Sequence, residues 1–112
     1  MRFGRRQTVS SDLWIAVVDR DARAIHGASG STLGFGPWYQ QNPLVCIVAL
    51  LDPSASVRCS GRTTVDHVKD APMMGRRAPS DMGHLVALCE WHNVIHPPSK
   101  ELRMKEREYL GL

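Results

Sequence analysis

All three cysteines and four of the five histidines of this chain lie between Cys46 and His96. These side chains are the ones that bind zinc and similar metals in proteins. A chain of 112 residues buries only a modest share of its surface on folding, and only 6 % of its residues are aromatic. We therefore expect a bound metal ion to supply part of the folding free energy.

The spacing of these residues predicts a structural zinc site. Cys89 and His92 are separated by two residues, which lets two ligands on one turn bind the same ion. Cys46 and Cys59 would complete a tetrahedral Cys3His group around Zn²⁺. Cys46 lies within an apolar run, so the alternative for that residue is a small buried hydrophobic side chain.

Charge and composition narrow the class of protein only slightly. The 14 Lys and Arg residues against 11 Asp and Glu give a net charge of +3 and a pI near 9.0. That balance permits a nucleic-acid partner without requiring one. Three cysteines cannot all pair with one another, and no apolar run follows the basic start, so we expect a reducing, cytoplasmic location. The apolar run at 44–51 is too short to span a membrane, so no membrane role is expected.

Hydrophobic periodicity and breaker residues predict a series of short elements. They are a helix at about 11–24, a glycine-rich loop at 27–37, a short helix or strand at 44–51, strands at 63–65 and 85–88, a helix from about 90 that ends before Pro97, and a charged helix at 99–110. We divide the chain into an N-terminal tail, helix and loop (1–36) and a main domain (37–112).

Two segments resemble the HNH endonuclease family, in particular its small versions encoded by phages and prophages. They are CSGRTTVDHVK at 59–69 and HLVALCEWHN at 84–93. The pattern is a strand that ends in Asp-His, a basic glycine-containing loop, an apolar strand, and Cys-x-x-His before a final ligand. The resemblance covers roughly 46–109 and implies an α+β fold. That fold is the small ββα-metal (His-Me finger) HNH fold, with a zinc site and appended N- and C-terminal helices.

The resemblance also implies roles for individual residues. Asp66 takes the position of a catalytic metal ligand, and His67 that of the general base that activates water. His84 stands at the position of the family's central Asn. Asn93 stands at that of its final His, where a side-chain oxygen would bind the catalytic Mg²⁺ or Mn²⁺. The catalytic triad therefore reads His67, His84 and Asn93.

A second arrangement of ligands is open. His92 and His96 are four residues apart and would share one face of a helix. They would then hold the catalytic ion together with Asp66 or His67, and the cysteines would be ordinary core residues. The Cys-x-x-His spacing favours the first arrangement.

The resemblance implies a metal-dependent endonuclease that hydrolyses DNA phosphodiester bonds by nicking or cleavage. It implies a phage-encoded protein in the host cytoplasm, with DNA and the large terminase subunit of a DNA-packaging machine as partners. Lys69, Arg76 and Arg77 lie in the loop beside the site and are candidates for phosphate contacts, although a solvated loop would look the same. The alternatives are a zinc-bearing DNA- or protein-binding module without catalysis, and a structural subunit stapled by zinc.

Overall fold

A two-stranded antiparallel sheet with helices packed around it forms the centre of the structure. The computed structural model describes residues 9–27, 44–70 and 78–112. The elements in chain order are α1 (Ser11–His26), α2 (Val48–Leu51), a 3₁₀ helix (Pro53–Arg58), β1 (Thr63–His67), a second 3₁₀ helix (Met82–His84), β2 (Leu85–Cys89), a π-helix (Trp91–Ile95) and α3 (Lys100–Leu110). The predicted α+β class is confirmed.

The two strands pair from Thr63 opposite Cys89 to His67 opposite Leu85. All of β2 is buried, which agrees with its uninterrupted apolar sequence, whereas β1 is only half-buried along its length. β1 runs two residues beyond the β-branched segment that predicted it, because Asp66 and His67 continue the pairing with β2. The pairing therefore carries the Asp-His pair to the end of a rigid strand.

α1 is capped as its sequence indicates. Ser10 accepts a hydrogen bond from the backbone N–H of Leu13 at 3.2 Å, and the helix ends at Gly27, whose φ is +90°. Its inner face packs Val18 and Ala22 against the sheet and the segment before α2. Among the described residues, no helix has the length and apolar character needed to cross a bilayer.

A buried carboxylate ties α1 to the rest of the fold. Asp21 is fully buried and accepts hydrogen bonds from the backbone of Ala87 at 2.7 Å, from the Tyr109 hydroxyl at 2.6 Å and from Arg20 at 2.8 Å. Arg20 also donates to two backbone carbonyls at the entry to β2. These bonds compensate the cost of burying the charge and connect α1, β2 and α3.

The second half of the core lies under α2 and α3. Ile47, Val48 and Leu102 pack there with the inner side of β2. Only the end of the 44–51 run is helical, because Ile47 before it donates its backbone N–H to Ala87 of β2 at 2.8 Å. α1 packs on the same sheet, so α1 and the segment from 44 onward share β2. The domain boundary that we predicted between 36 and 37 lies outside the described residues.

Candidate metal centre and neighbouring cleft

Four side chains from separate parts of the chain meet in one group, which we call the Cys3His group: Cys46, Cys59, Cys89 and His92. Their ligand atoms all lie within 4.8 Å of one another. His92 Nδ1 is 3.7 Å from the Cys46 sulfur, 3.6 Å from that of Cys59 and 3.1 Å from that of Cys89. Ordinary Zn–S and Zn–N bond lengths in a tetrahedron separate nitrogen and sulfur by about 3.6 Å. The predicted ligands therefore form a group that could hold a metal ion such as zinc.

Each of the four side chains lies in or next to a different element. Cys46 precedes α2, Cys59 follows the first 3₁₀ helix, Cys89 ends β2, and His92 lies in the π-helix. The backbone N–H of His92 points at the Cys89 sulfur at 3.5 Å, as is favourable for a negatively charged sulfur. Because the four ligands hold these elements together, an ion bound there would act as a staple for the core.

The electrostatics of the group suit a cation. Burial raises the pKa of the Cys46 thiol far above its usual range and that of Cys59 to about 11, and the charge of the Cys89 sulfur raises both further. Burial also lowers the pKa of His92, which keeps its ring neutral and able to coordinate. Three thiolates this close would require a compensating positive charge, which a bound divalent cation would supply.

The turn between Cys59 and β1 packs against Glu90, which directly follows Cys89. Gly61 has a φ of +83°, and a Cβ at this position would lie 2.6 Å from a Glu90 side-chain oxygen and 2.7 Å from the Glu90 Cβ. The same Glu90 oxygen accepts the backbone N–H of Arg62 at 2.7 Å. The turn thus needs a residue without a side chain to bring Cys59 to the other ligands.

We expect Gly61→Ala to destabilise the protein and to weaken zinc binding. Gly111→Ala is the matched control, since Gly111 is left-handed with a φ of +78° but has no atom within 4 Å of the added Cβ. Both variants incur the left-handed backbone penalty of about 1–2 kcal/mol, and the contact with Glu90 should add about 1–3 kcal/mol for Gly61→Ala alone. Urea unfolding and competition with a zinc chelator measure the two effects. Equal losses in the two variants would show that the contact with Glu90 is unimportant.

A polar cleft of about 480 Å³ opens at the end of β1. It is lined by Val9, Thr64, Val65, Asp66, His67, Asn93 and Val94. Three residues that the resemblance marks for chemistry therefore line the same cleft. Asp66 and His67 come from the strand end, and Asn93 comes from the helical turn next to His92 of the Cys3His group.

Two of these three side chains are held in place by neighbouring hydroxyl groups. The Nε2 atom of His67 lies 3.0 Å from the Ser80 hydroxyl. Burial lowers the pKa of His67, although the charge of Asp66 opposes this shift. The amide nitrogen of Asn93 donates to the Thr64 hydroxyl at 2.8 Å, which leaves its amide oxygen as the end able to reach a cation. The cleft thus presents a neutral imidazole and an anchored amide.

Asp66 has a partner that the sequence did not indicate. One of its carboxylate oxygens accepts a hydrogen bond from Arg103 of α3, and the same guanidinium binds Glu106 at 2.8 Å. The sequence of this segment predicted only a charged helix at 99–110. An ion pair between residues 37 positions apart leaves no local pattern, so no signal in the sequence could have found it.

Glu106 is fully buried on α3, and one of its oxygens, Oε2, has no hydrogen-bond partner among the described residues. Burial raises its pKa from 4.5 to about 7, even though Arg103 and Arg107 favour its charged form. The folded protein therefore holds this proton more tightly than the unfolded chain does.

We expect the contribution of Glu106 to stability to fall as the pH rises from about 4.5 to 7, where the unfolded chain loses the Glu106 proton before the folded one. The contribution to the free energy of unfolding is up to about 3 kcal/mol. Glu106→Gln should remove this slope, whereas Glu108→Gln, an exposed position on the same helix, should keep it. Urea unfolding at a series of pH values measures the slope. An unchanged slope in Glu106→Gln would assign the effect to another group.

His84 lies outside the set that lines the cleft. Its Nδ1 is 2.8 Å from Asp81 and its Nε2 is 3.2 Å from Asp70, so it bridges the two sides of the interstrand loop. The hydrogen bond with Asp81 raises the pKa of His84 most, and Asp70 adds to it. Its place in the triad stays a prediction.

Of the three candidates for phosphate contacts, Lys69 is exposed next to Asp70, which binds His84. Arg76 and Arg77 lie outside the described residues.

His96 lies apart from the cleft. Its ring stacks on Trp91 with 5.9 Å between centroids, in a separate cavity of about 420 Å³ that also borders Arg58 and Pro97. The second ligand arrangement needs His92 and His96 on one ion with Asp66 or His67. Because His92 Nδ1 faces the three sulfurs, the geometry favours the first arrangement.

Comparison with models of protein families, with curated proteins and with solved structures finds no match for this chain. The resemblance to HNH endonucleases therefore rests on the residues quoted above. The structure adds the geometry of the Cys3His group and of the neighbouring cleft.

Proposed function

We propose that this protein is a divalent-metal-dependent endonuclease of the HNH type that hydrolyses DNA and is stapled by zinc. One observation carries the proposal. Asp66, His67 and Asn93 line one cleft at the end of a two-stranded sheet, beside a group of four zinc-binding side chains. The resemblance implies this arrangement: the end of a strand supplies an acid and a base, and a helical turn opposite it supplies a third polar group.

The residues of the cleft have chemistry suited to phosphodiester hydrolysis. His67, neutral near pH 7 because burial lowers its pKa, takes the proton from the attacking water. Ser80 orients the imidazole through one nitrogen, so the other is available for that proton. Asp66 and the oxygen of Asn93 would hold Mg²⁺ or Mn²⁺. That ion, when bound, would neutralise the phosphate charge and stabilise the leaving oxygen.

Contact with DNA is proposed from charge. The net charge is +3, and Lys69 is exposed near the end of β1. Lys69, Arg76 and Arg77 would bind phosphates, and such binding would weaken steeply with added salt. The large terminase subunit as a partner and a place in the host cytoplasm are further proposals that rest on the resemblance alone.

The direct test is nicking of supercoiled plasmid by zinc-loaded protein. We expect relaxed product with Mg²⁺ or Mn²⁺, no product with chelator present, and no product from Asp66→Ala purified in parallel. Asp12→Asn, which removes an acid on the exposed side of α1, serves as the matched control and should cut as the wild type does. No cleavage by the wild type under any divalent ion would overturn the proposal.

One observation favours a second candidate, a zinc-bearing module that binds DNA or protein without cutting. In the structure, one oxygen of Asp66 is engaged by Arg103, which neutralises a charge that a catalytic cation would use. This candidate predicts DNA retention at low salt with no metal-dependent cleavage. A gel-shift measurement beside the nicking assay therefore separates the two functions.

A further inference from the structure

Arg103 joins two carboxylates that come from different parts of the fold. Its Nη2 donates to Asp66 at the end of β1, and its Nη1 donates to Glu106 one turn further along α3 at 2.8 Å. About a quarter of the Arg103 side chain is exposed, whereas Glu106 is fully buried. The guanidinium therefore spans from the core to the wall of the cleft.

Glu106, the buried carboxylate bound by Arg103, costs free energy to bury. Glu106 has an unpartnered oxygen within the described part of the chain, and a buried carboxylate of this kind destabilises the fold. The other oxygen of Glu106 accepts a hydrogen bond from Arg103 and orients the guanidinium. A planar guanidinium anchored through one nitrogen presents its other donors in a fixed direction, which here is toward Asp66.

α3 has other attachments to the fold. Leu102 packs in the core with α2 and β2, and the Tyr109 hydroxyl binds the buried Asp21 at 2.6 Å. The Arg103 bridge is thus one of several links between α3 and the fold, and within 9–27, 44–70 and 78–112 it is the one that reaches a wall of the cleft. That placement points to a function for the bridge in the cleft.

We propose that Arg103, braced by Glu106, is a positioning residue that holds one oxygen of Asp66 so that the other faces a divalent cation in the cleft. The inference rests on the proposed function in that it needs Asp66 to be a metal ligand. Groups that orient a metal ligand in this way usually change metal affinity or activity by about 10–100-fold when they are removed.

Charge and positioning predict opposite signs for the loss of Arg103. Removing a positive charge beside Asp66 should by itself strengthen the attraction of a cation. Loss of orientation should instead weaken binding. Arg103→Gln is therefore expected to bind Mn²⁺ about 10–100-fold more weakly than the wild type. Arg103→Lys, which keeps one donor, should recover part of the affinity. Arg107→Gln removes a cation from the same helix and leaves the bond to Asp66, so it should bind as the wild type or slightly more tightly.

The experiment measures Mn²⁺ binding to zinc-loaded full-length protein by the electron paramagnetic resonance signal of free Mn²⁺, together with plasmid nicking. The same substitution is also made in an Asp66→Ala background. If Arg103 acts through Asp66, Arg103→Gln has no further effect there. Circular dichroism and the zinc content show whether each variant folds. Should Arg103→Gln fail to fold, Arg103→Lys and Glu106→Gln provide the comparison.

The outcomes separate the inference from the proposed function. The inference is supported if Arg103→Gln weakens Mn²⁺ binding in the wild-type background and has no further effect on it in the Asp66→Ala background. This holds whether or not the protein cuts DNA. Cleavage by the wild type with unchanged or tighter binding in Arg103→Gln overturns the inference and leaves the function standing. No binding of Mn²⁺ by the wild type overturns both.

Discussion

The Cys89→Ser protein is expected to lose its zinc and, with it, cooperative folding. Cys89 is fully buried at the end of β2, and its sulfur lies 3.1 Å from His92 Nδ1. A serine hydroxyl is a poor substitute for thiolate as a zinc ligand. Zinc in small domains contributes about 10–16 kcal/mol, which is comparable to the whole stability of a typical domain, about 5–15 kcal/mol.

Zinc per chain, measured by elemental analysis, and the dispersion of the amide NMR spectrum would test this prediction. We expect one zinc per wild-type chain and none in Cys89→Ser. His96→Ala is the matched control, because His96 is a ligand only in the second arrangement and stacks on Trp91 in a separate cavity. It should keep its zinc. Absence of zinc from the wild type, or equal loss of zinc in His96→Ala, would contradict the Cys3His site.

The second large effect is expected on catalysis. His67→Ala should reduce plasmid nicking by about 10²–10⁴-fold, which is the usual contribution of a general base. Binding of DNA at low salt should persist, because the phosphate contacts proposed here come from cationic side chains in the loop. Single-turnover nicking rates and a gel-shift titration measure the two quantities on the same preparation.

His26→Ala is a suitable control for the removal of an imidazole, since His26 is exposed at the end of α1. It should leave the nicking rate unchanged. Ser80→Ala should give an intermediate loss, because Ser80 holds the His67 ring at 3.0 Å but takes no proton in the proposed mechanism. If His67→Ala cuts at the wild-type rate, His67 is not the base; if it no longer binds DNA, its role includes binding.

Much of the local structure could be predicted because its determinants lie close together in the chain. Ser10 and Ser99 cap α1 and α3 through hydrogen bonds to backbone groups three residues ahead. The apolar run of β2 and the spacing of Cys89 and His92 likewise act within one strand or one turn. The predicted zinc ligands meet for that reason together with the antiparallel pairing of β1 and β2.

The turn after β2 was only partly predictable. The sequence predicts a helix from about 90, and the structure has a π-helix at Trp91–Ile95, closed by a hydrogen bond of 2.7 Å from His96 to Trp91. Residues of the π-helix contact distant parts of the chain. His92 faces the cysteine sulfurs, and the Asn93 amide donates to the Thr64 hydroxyl.

The sequence by itself determined the helix caps, the two strands and the identity of the four side chains that could bind a metal, because each depends on neighbours in the chain or on side-chain chemistry. Only the tertiary structure decided that His92 joins the cysteines while His96 does not, and that Asp66 is held by Arg103. Asp21 and its partner Ala87 are 66 residues apart, and the bond that joins them follows no periodicity. Contacts of this kind arise from the packing of helices on the sheet, which sets distances that no local pattern records.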